Sequence, residues 1–187
     1  METVIKKMRE RCFIPDESIE RLMSCVARCE FPRRHKIVED GRMRGHAYFI
    51  EKGITRSYWV VDGEEITTSF STEGSIVFSM DELYYGRKSE EFVEAIEPVV
   101  AYSITIEDLR HLWETDIYLA GWGLAIHQDE YRRLHRSHKE RLTLTAAQRY
   151  DSFRRQFPEV CGRVQLGYIA SYLGITLPTL SRLRKKM

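Results

Sequence analysis

The sequence has no apolar run approaching the ~18 residues that a membrane-crossing helix needs, so no span is predicted. Its first residues, Met1-Glu2-Thr3-Val4-Ile5-Lys6-Lys7, carry charge where a secretion signal would be apolar. Cysteine is scarce. Cys12, Cys25, Cys29 and Cys161 are too few to staple a chain of 187 residues, and nothing in them points to an oxidising compartment. The expectation is a cytoplasmic protein with reduced thiols. There is no Gly-rich phosphate loop, no Gly-x-Ser-x-Gly elbow and no convincing acid/base pair. The β-rich region holds only His35 and His46, unpaired, where a metal-dependent jelly-roll enzyme needs clustered His and a Glu on neighbouring strands. The sequence therefore predicts no catalysis, no metal and no cofactor.

What is present is ordinary in bulk and uneven in place. Hydrophobic residues make up 43% and charged residues 30%, the balance of a globular chain long enough for one domain and a small second one. The net charge of +1 conceals a division. Residues 139–187 carry ten Lys/Arg against three Asp/Glu, a net of +7, and residues 1–138 carry nineteen against twenty-five, a net of −6. A basic end on an acidic body suggests a polyanion engaged by one end only, although chance clustering would give the same sums.

Periodicity divides the chain in the same way. Residues 4–11 and 16–30 predict helices, the second with Asp16 as N-cap and Ile19, Leu22, Met23 and Val26 at helical spacing. Short β-rich runs follow at Lys36–Glu39, Ala47–Glu51, Ile54–Val61, Glu65–Phe70, Phe92–Ile96 and Val99–Ile104, separated by Gly- and Pro-containing turns. Asp62-Gly63, between two alternating runs, is a two-residue hairpin signal. Strands this short and regular predict a β-roll or jelly roll. A short helix over Thr105–Glu114 and a long one over about Asp116–Arg141 come next. In the long helix Ile117, Leu124 and Tyr131 repeat in sevens, with Ala120, His127 and Leu134 three residues after each. That is a heptad seam, read as a homodimer interface; the alternative is that it packs on its own β-domain. The fold class is α+β: residues 1–115 as a sensor-like β-roll, 116–141 as a dimerisation helix and 142–187 as a helical head.

The head carries the most informative stretch. Thr145-Ala146-Ala147-Gln148 is a capping box. In Leu166–Lys186, Ala170 is small where two helices would cross, and Gly174 tolerates a left-handed turn. Ile169, Leu173, Ile175, Leu180 and Leu183 would seal the angle, Thr176 would cap the second helix, and Pro178 falls in its first turn. This is a helix-turn-helix with its structural slots filled. Leu177, Leu180 and Leu183 are expected to point inward. Thr179, Ser181 and Arg182 are expected to read base edges, with Thr176, Arg184, Lys185 and Lys186 on phosphates.

The order of β-roll, long heptad helix and C-terminal helix-turn-helix resembles the Crp/Fnr superfamily of bacterial transcription regulators, most strongly in Tyr168–Thr176 and Thr179–Lys186. In length and wording it resembles the short regulators of Bacteroidetes. The resemblance implies a cyclic-nucleotide-binding-like jelly roll, a parallel dimer through the long helix, and a two-fold symmetric double-stranded DNA operator with half-sites one helical turn apart. It leaves RNA polymerase open as a further partner.

Two departures from the family pattern bear on function. Relatives place a Glu just before the Thr matched by Thr179, and here that position is Pro178, which cannot accept from cytosine N4. Cyclic-nucleotide binders carry a Gly-Glu pair and an Arg-Ser or Arg-Thr pair. Here those slots fall on Phe78-Ser79 and on Ser89-Glu90, followed by Glu91, with Arg87 and Lys88 close by. A carboxylate where a phosphate should sit is repulsive, so a degenerate pocket without response to cyclic AMP is expected, with Phe78, Tyr84 and Tyr85 able to fill it. Some relatives hold an iron–sulfur cluster, but these four cysteines have the wrong spacing, with Cys25 and Cys29 one turn apart on the predicted second helix; they read as buried structural residues. His127, or His135 with His138, could in principle ligate haem or metal, but no convergent carboxylate or cysteine accompanies them. The alternative function is a small-molecule or redox sensor module whose helix-turn-helix is a protein docking surface.

Overall fold

The computed structural model describes residues 1–185, so Lys186, expected on a phosphate, lies outside the described residues. Helices α1 (Glu2–Arg11) and α2 (Asp16–Cys25) lead into eight strands: β1 (Ala27–Phe31), β2 (Lys36–Val38), β3 (His46–Lys52), β4 (Thr55–Val61), β5 (Glu64–Ser71), β6 (Ile76–Val77), β7 (Phe92–Ala95) and β8 (Val99–Thr105). A π-helical turn (Asp81–Tyr85) stands between β6 and β7. Then come α3 (Ile106–Thr115), α4 (Ile117–Thr143), α5 (Ala146–Gln156), α6 (Leu166–Leu173) and α7 (Leu177–Lys185).

The strands form two four-stranded antiparallel sheets, β1-β8-β3-β6 and β2-β7-β4-β5, the expected jelly roll. The period of two in β3 builds two cores at once. Tyr48 and Ile50 face the roll interior with Ile37, Val93 and Ala101. Ala47 and Phe49 face the other way, onto Val4, Met8, Leu22, Leu109 and Trp122 of the helices. Phe49 and Trp122 lie ring to ring at 5.8 Å, which fastens α4 to the sheet. The β4–β5 hairpin turns through Asp62 and Gly63, both at positive φ (53° and 83°), the I′ geometry that matches strand twist.

Three local expectations are corrected. Residues 27–31 are strand β1, paired with β8, and not the end of a helix running to residue 30. Cys29 is therefore on a strand and Cys25 at a helix end, so they are not one helical turn apart. Tertiary pairing overrides the helical spacing, as it does for short segments with an open sheet edge beside them. Asp16 is the first helical residue and Pro15 holds the cap position; the Asp16 carboxylate instead accepts from Arg9. The four cysteines are free and half-buried, not fully enclosed.

Helix α4 starts on a well-built cap. Asp116 accepts from the backbone N–H groups of Tyr118 (3.0 Å) and Leu119 (3.1 Å) and pairs with Arg21 at 3.1 Å. Burial alone would raise the Asp116 carboxyl, but these donors outweigh it and hold its pKa below the usual value.

Candidate nucleic-acid interface

The head is a three-helix unit. Tyr150 and Phe153 of α5, Ile169, Ala170, Tyr172 and Leu173 of α6, and Leu180 of α7 share one core, with Ile175 and Leu183 packed on its edge. Helix α5 opens on the complete Thr145/Gln148 capping box. Helix α6 ends at Gly174, whose φ of 64° lies in the left-handed region. The Ile175 N–H then returns to the Ala170 carbonyl and the Gly174 N–H to Ser171, both at 3.0 Å, a Schellman closure. Thr176 Oγ1 accepts from the Thr179 N–H at 3.4 Å and starts α7. These contacts fix the angle between α6 and α7 without using the outer half of α7.

That outer half is open. Thr176, Pro178, Arg182, Arg184 and Lys185 are exposed, and Thr179 and Ser181 are half-buried. Thr176 Oγ1 and Thr179 Oγ1 are 2.9 Å apart, and Arg182 reaches Thr179 Oγ1 at 3.3 Å and the Pro178 carbonyl at 3.4 Å. The Arg182 fork is thus laid back along the first turn of its own helix. Leu177 corrects its expected place: it is 46% exposed, while Leu180 is fully buried. It sits in the first turn, beyond the edge of the α5–α6 surface that covers Leu180 and Leu183.

The head is docked on the β4–β5 face of the roll. Ile54 and Phe70 join its core, and Phe70 meets Phe153, Phe157 and Tyr172 ring to ring. Ser171 Oγ accepts from the Thr67 N–H at 2.9 Å and donates to the Glu65 carbonyl at 3.0 Å, bonding α6 to β5. At the centre is Arg56, 1% exposed. Its guanidinium lies between the rings of Tyr58 (4.1 Å) and Tyr168 (3.8 Å) and pairs with Glu94 at 3.1 Å and with Glu65. Burial, with Glu65 and Glu94 beside it, pushes the Tyr58 phenol up to about 12. Arg163 closes the rim on Glu73 (2.7 Å) and Glu97. Burial would raise Glu73, but Arg163 and the Gly53 N–H hold it at about 2. No sequence motif signals Arg56; its partners lie up to 112 residues away.

On α4 the heptad stripe is open to solvent: Ile117 is 80%, Leu124 61% and Tyr131 72% exposed. These residues do not pack on their own β-domain. The second row differs from the expected one. Ala120 and His127 are half-buried, and His127 turns toward Phe78, Tyr84 and Trp113 of its own body. The residues exposed at alternating three- and four-residue steps are Ile117, Gly121, Leu124, Gln128, Tyr131, His135, His138 and Leu142, with Leu134 beside them. This exposed row stands one position from the row expected at Ala120, His127 and Leu134, of which Leu134 is itself exposed.

The six residues assigned to the effector pocket do not converge. Ser79 and Ser89 are buried and Phe78 half-buried, whereas Arg87, Lys88 and Glu90 face solvent. Tyr84 and Tyr85 are exposed too, and do not fill the interior. Glu82 does: it is buried, and its Oε2 accepts from the Arg44 (2.9 Å) and Gly45 (2.7 Å) N–H groups. Ser89 ties the same loop from the other side, donating to Arg42 and accepting from Gly41. Arg110 of α3 donates to the carbonyls of Glu82 (3.2 Å) and Leu83. Burial, with Asp81 and Glu130 nearby, pushes the Glu91 carboxyl up to about 7. Among the described residues no cluster of His, Cys, Asp and Glu could hold a metal, and no helix is long and apolar enough to cross a membrane.

Residues 28–116 match the cyclic nucleotide-binding domain family. The sequence has no match among curated proteins. Among solved structures, FixK2 from Bradyrhizobium japonicum superposes with a TM-score of 0.75 at 21% identity, over 86% of this chain and 83% of that one. The c-di-GMP-responsive global regulator CLP of Xanthomonas campestris gives 0.70 at 18% identity, over 92% and 91%. A Crp/Fnr family regulator from Eubacterium rectale gives 0.72 at 14% identity, over 92% and 83%. Residues 28–116 thus match the cyclic nucleotide-binding domain family, and the chain as a whole has the fold of these solved regulators.

Proposed function

We propose that the chain is a sequence-specific DNA-binding regulator of transcription that works as a homodimer and does not respond to cyclic AMP. One observation carries the proposal: α7 has an inner half locked into the head core and an outer half that carries Thr179 and Ser181 and ends on the exposed Arg182, Arg184 and Lys185. Such a helix fits a major groove, with Arg182, Thr179 and Ser181 toward base edges and Thr176, Arg184 and Lys185 toward phosphates. The +7 charge of residues 139–187 supplies the non-specific part of the affinity. The exposed heptad stripe on α4 supports a parallel dimer, which would set two heads one helical turn of DNA apart. Glu82 supports the lack of response, because its Oε2 already takes the backbone donors of the 44–45 loop, while Oε1 is buried without a partner. The chain is read as a binding protein, with RNA polymerase as a candidate partner.

The test is binding of the full chain to its own promoter fragment, followed by fluorescence anisotropy across a salt series, with mass measured by sedimentation. A dimer whose affinity falls by orders of magnitude between ~50 and ~200 mM salt is expected. A monomer, or affinity for DNA without salt dependence, contradicts the proposal and favours a protein docking surface.

A further inference from the structure

The first turn of α7 is apolar where a polar reading surface is expected. Leu177 is nearly half exposed at the first helical position, and Pro178 beside it is exposed as well. Neither has a side-chain hydrogen-bonding atom. Behind them on the same helix stand Arg182, Arg184 and Lys185. The outer half of α7 is therefore apolar in front and cationic behind. A single exposed leucine on a surface needs no explanation. One in the leading turn of a helix whose last turn is basic has a chemical complement, because the edges of DNA bases in the major groove offer one apolar group, the 5-methyl of thymine. Arg182 is tied to the same turn through the Pro178 carbonyl and Thr179 Oγ1, which keeps the guanidinium within one helical turn of Leu177.

We propose that Leu177 is a base-reading residue that packs, with Pro178, on the methyl group of a thymine next to the base pair read by Arg182. The proposal rests on the DNA-binding reading above and adds to it the chemistry of a second position in each half-site. It makes the operator depend on a methyl group where a carboxylate at position 178 would have made it depend on the amino group of cytosine.

The probe is the double-stranded fragment that the full chain enriches from genomic DNA, with each thymine replaced in turn by deoxyuridine, which removes only the methyl group. One thymine per half-site is expected to weaken binding about threefold to fourfold on replacement, the size of one buried methyl group. Leu177→Ala should abolish that difference, while Arg182→Ala should leave it in place. Leu177 is exposed, so the variant should keep the wild-type melting temperature. A flat deoxyuridine scan, or a thymine effect that survives Leu177→Ala, overturns the proposal while leaving DNA binding intact. Failure to enrich any fragment removes the DNA-binding reading, and this proposal with it.

Discussion

The loop around Glu82 and the outer half of α7 dispose of their polar groups in opposite ways. In the first, Glu82, Ser79, Ser89 and Arg110 are turned onto the backbone of their own chain. In the second, Arg184 and Lys185 stand in solvent, beside an exposed Arg182 laid along its own first turn, on a helix whose other half is fixed by Leu180 and Leu183. A buried polar group must be satisfied internally; in the first region Glu82 Oε2 is, while Glu82 Oε1 is buried without a partner. An exposed basic row is satisfied by water and is free to exchange water for phosphate.

The comparison can be broken most severely at the joint between the two regions. Arg56→Ala would leave Glu94 buried without its cation and remove the stacking between Tyr58 and Tyr168. It should cost about 3–5 kcal/mol in denaturant unfolding. A loss below ~1 kcal/mol would show that the head does not depend on this pair. Arg182→Ala touches only the open region. It should leave stability unchanged and cost ~1–3 kcal/mol of discrimination at one base pair. If it weakened all sequences alike, Arg182 would be a phosphate contact.

Asp116→Ala removes the cap of α4 and should cost about 1 kcal/mol of stability, read as a lower melting temperature. The smallest effect is on pH. Glu91 has its folded pKa raised to about 7, above its ordinary value near 4.5. Its contribution to stability is thus fully present in acid and is lost as pH rises from ~4.5 through 7. Glu91→Gln should flatten that decline. Glu73, held at about 2, acts in the opposite sense: its contribution is present above ~4.5 and is lost as pH falls toward 2. Melting curves of Glu91→Gln and Glu73→Gln across pH would separate them.

Much of this arrangement was legible in the sequence where a short-range rule applies. Gly174, Ala170 and Thr176 announce the turn because only certain residues suit a left-handed cap, a close crossing and an N-cap. Asp62-Gly63 announces its hairpin for the same reason. What depends on distant partners was not legible. Strand β1 looks helical until β8 is beside it. Arg56 lies in a strand with nothing local to mark it. The second exposed row of α4, Gly121, Gln128, His135 and Leu142, is mostly not apolar, so a hydrophobic pattern selects Ala120, His127 and Leu134 instead. Leu177 has the spacing of a core residue but stands one turn beyond the surface that would cover it.

The most direct test of the account is selection of genomic fragments by the purified full chain, with and without cyclic AMP. The account predicts one enriched palindrome with half-sites about ten base pairs apart, recovered equally well in both conditions. Enrichment that appears only with cyclic AMP would contradict the proposed lack of response, and no enriched sequence in either condition would contradict the assignment of α7 to DNA.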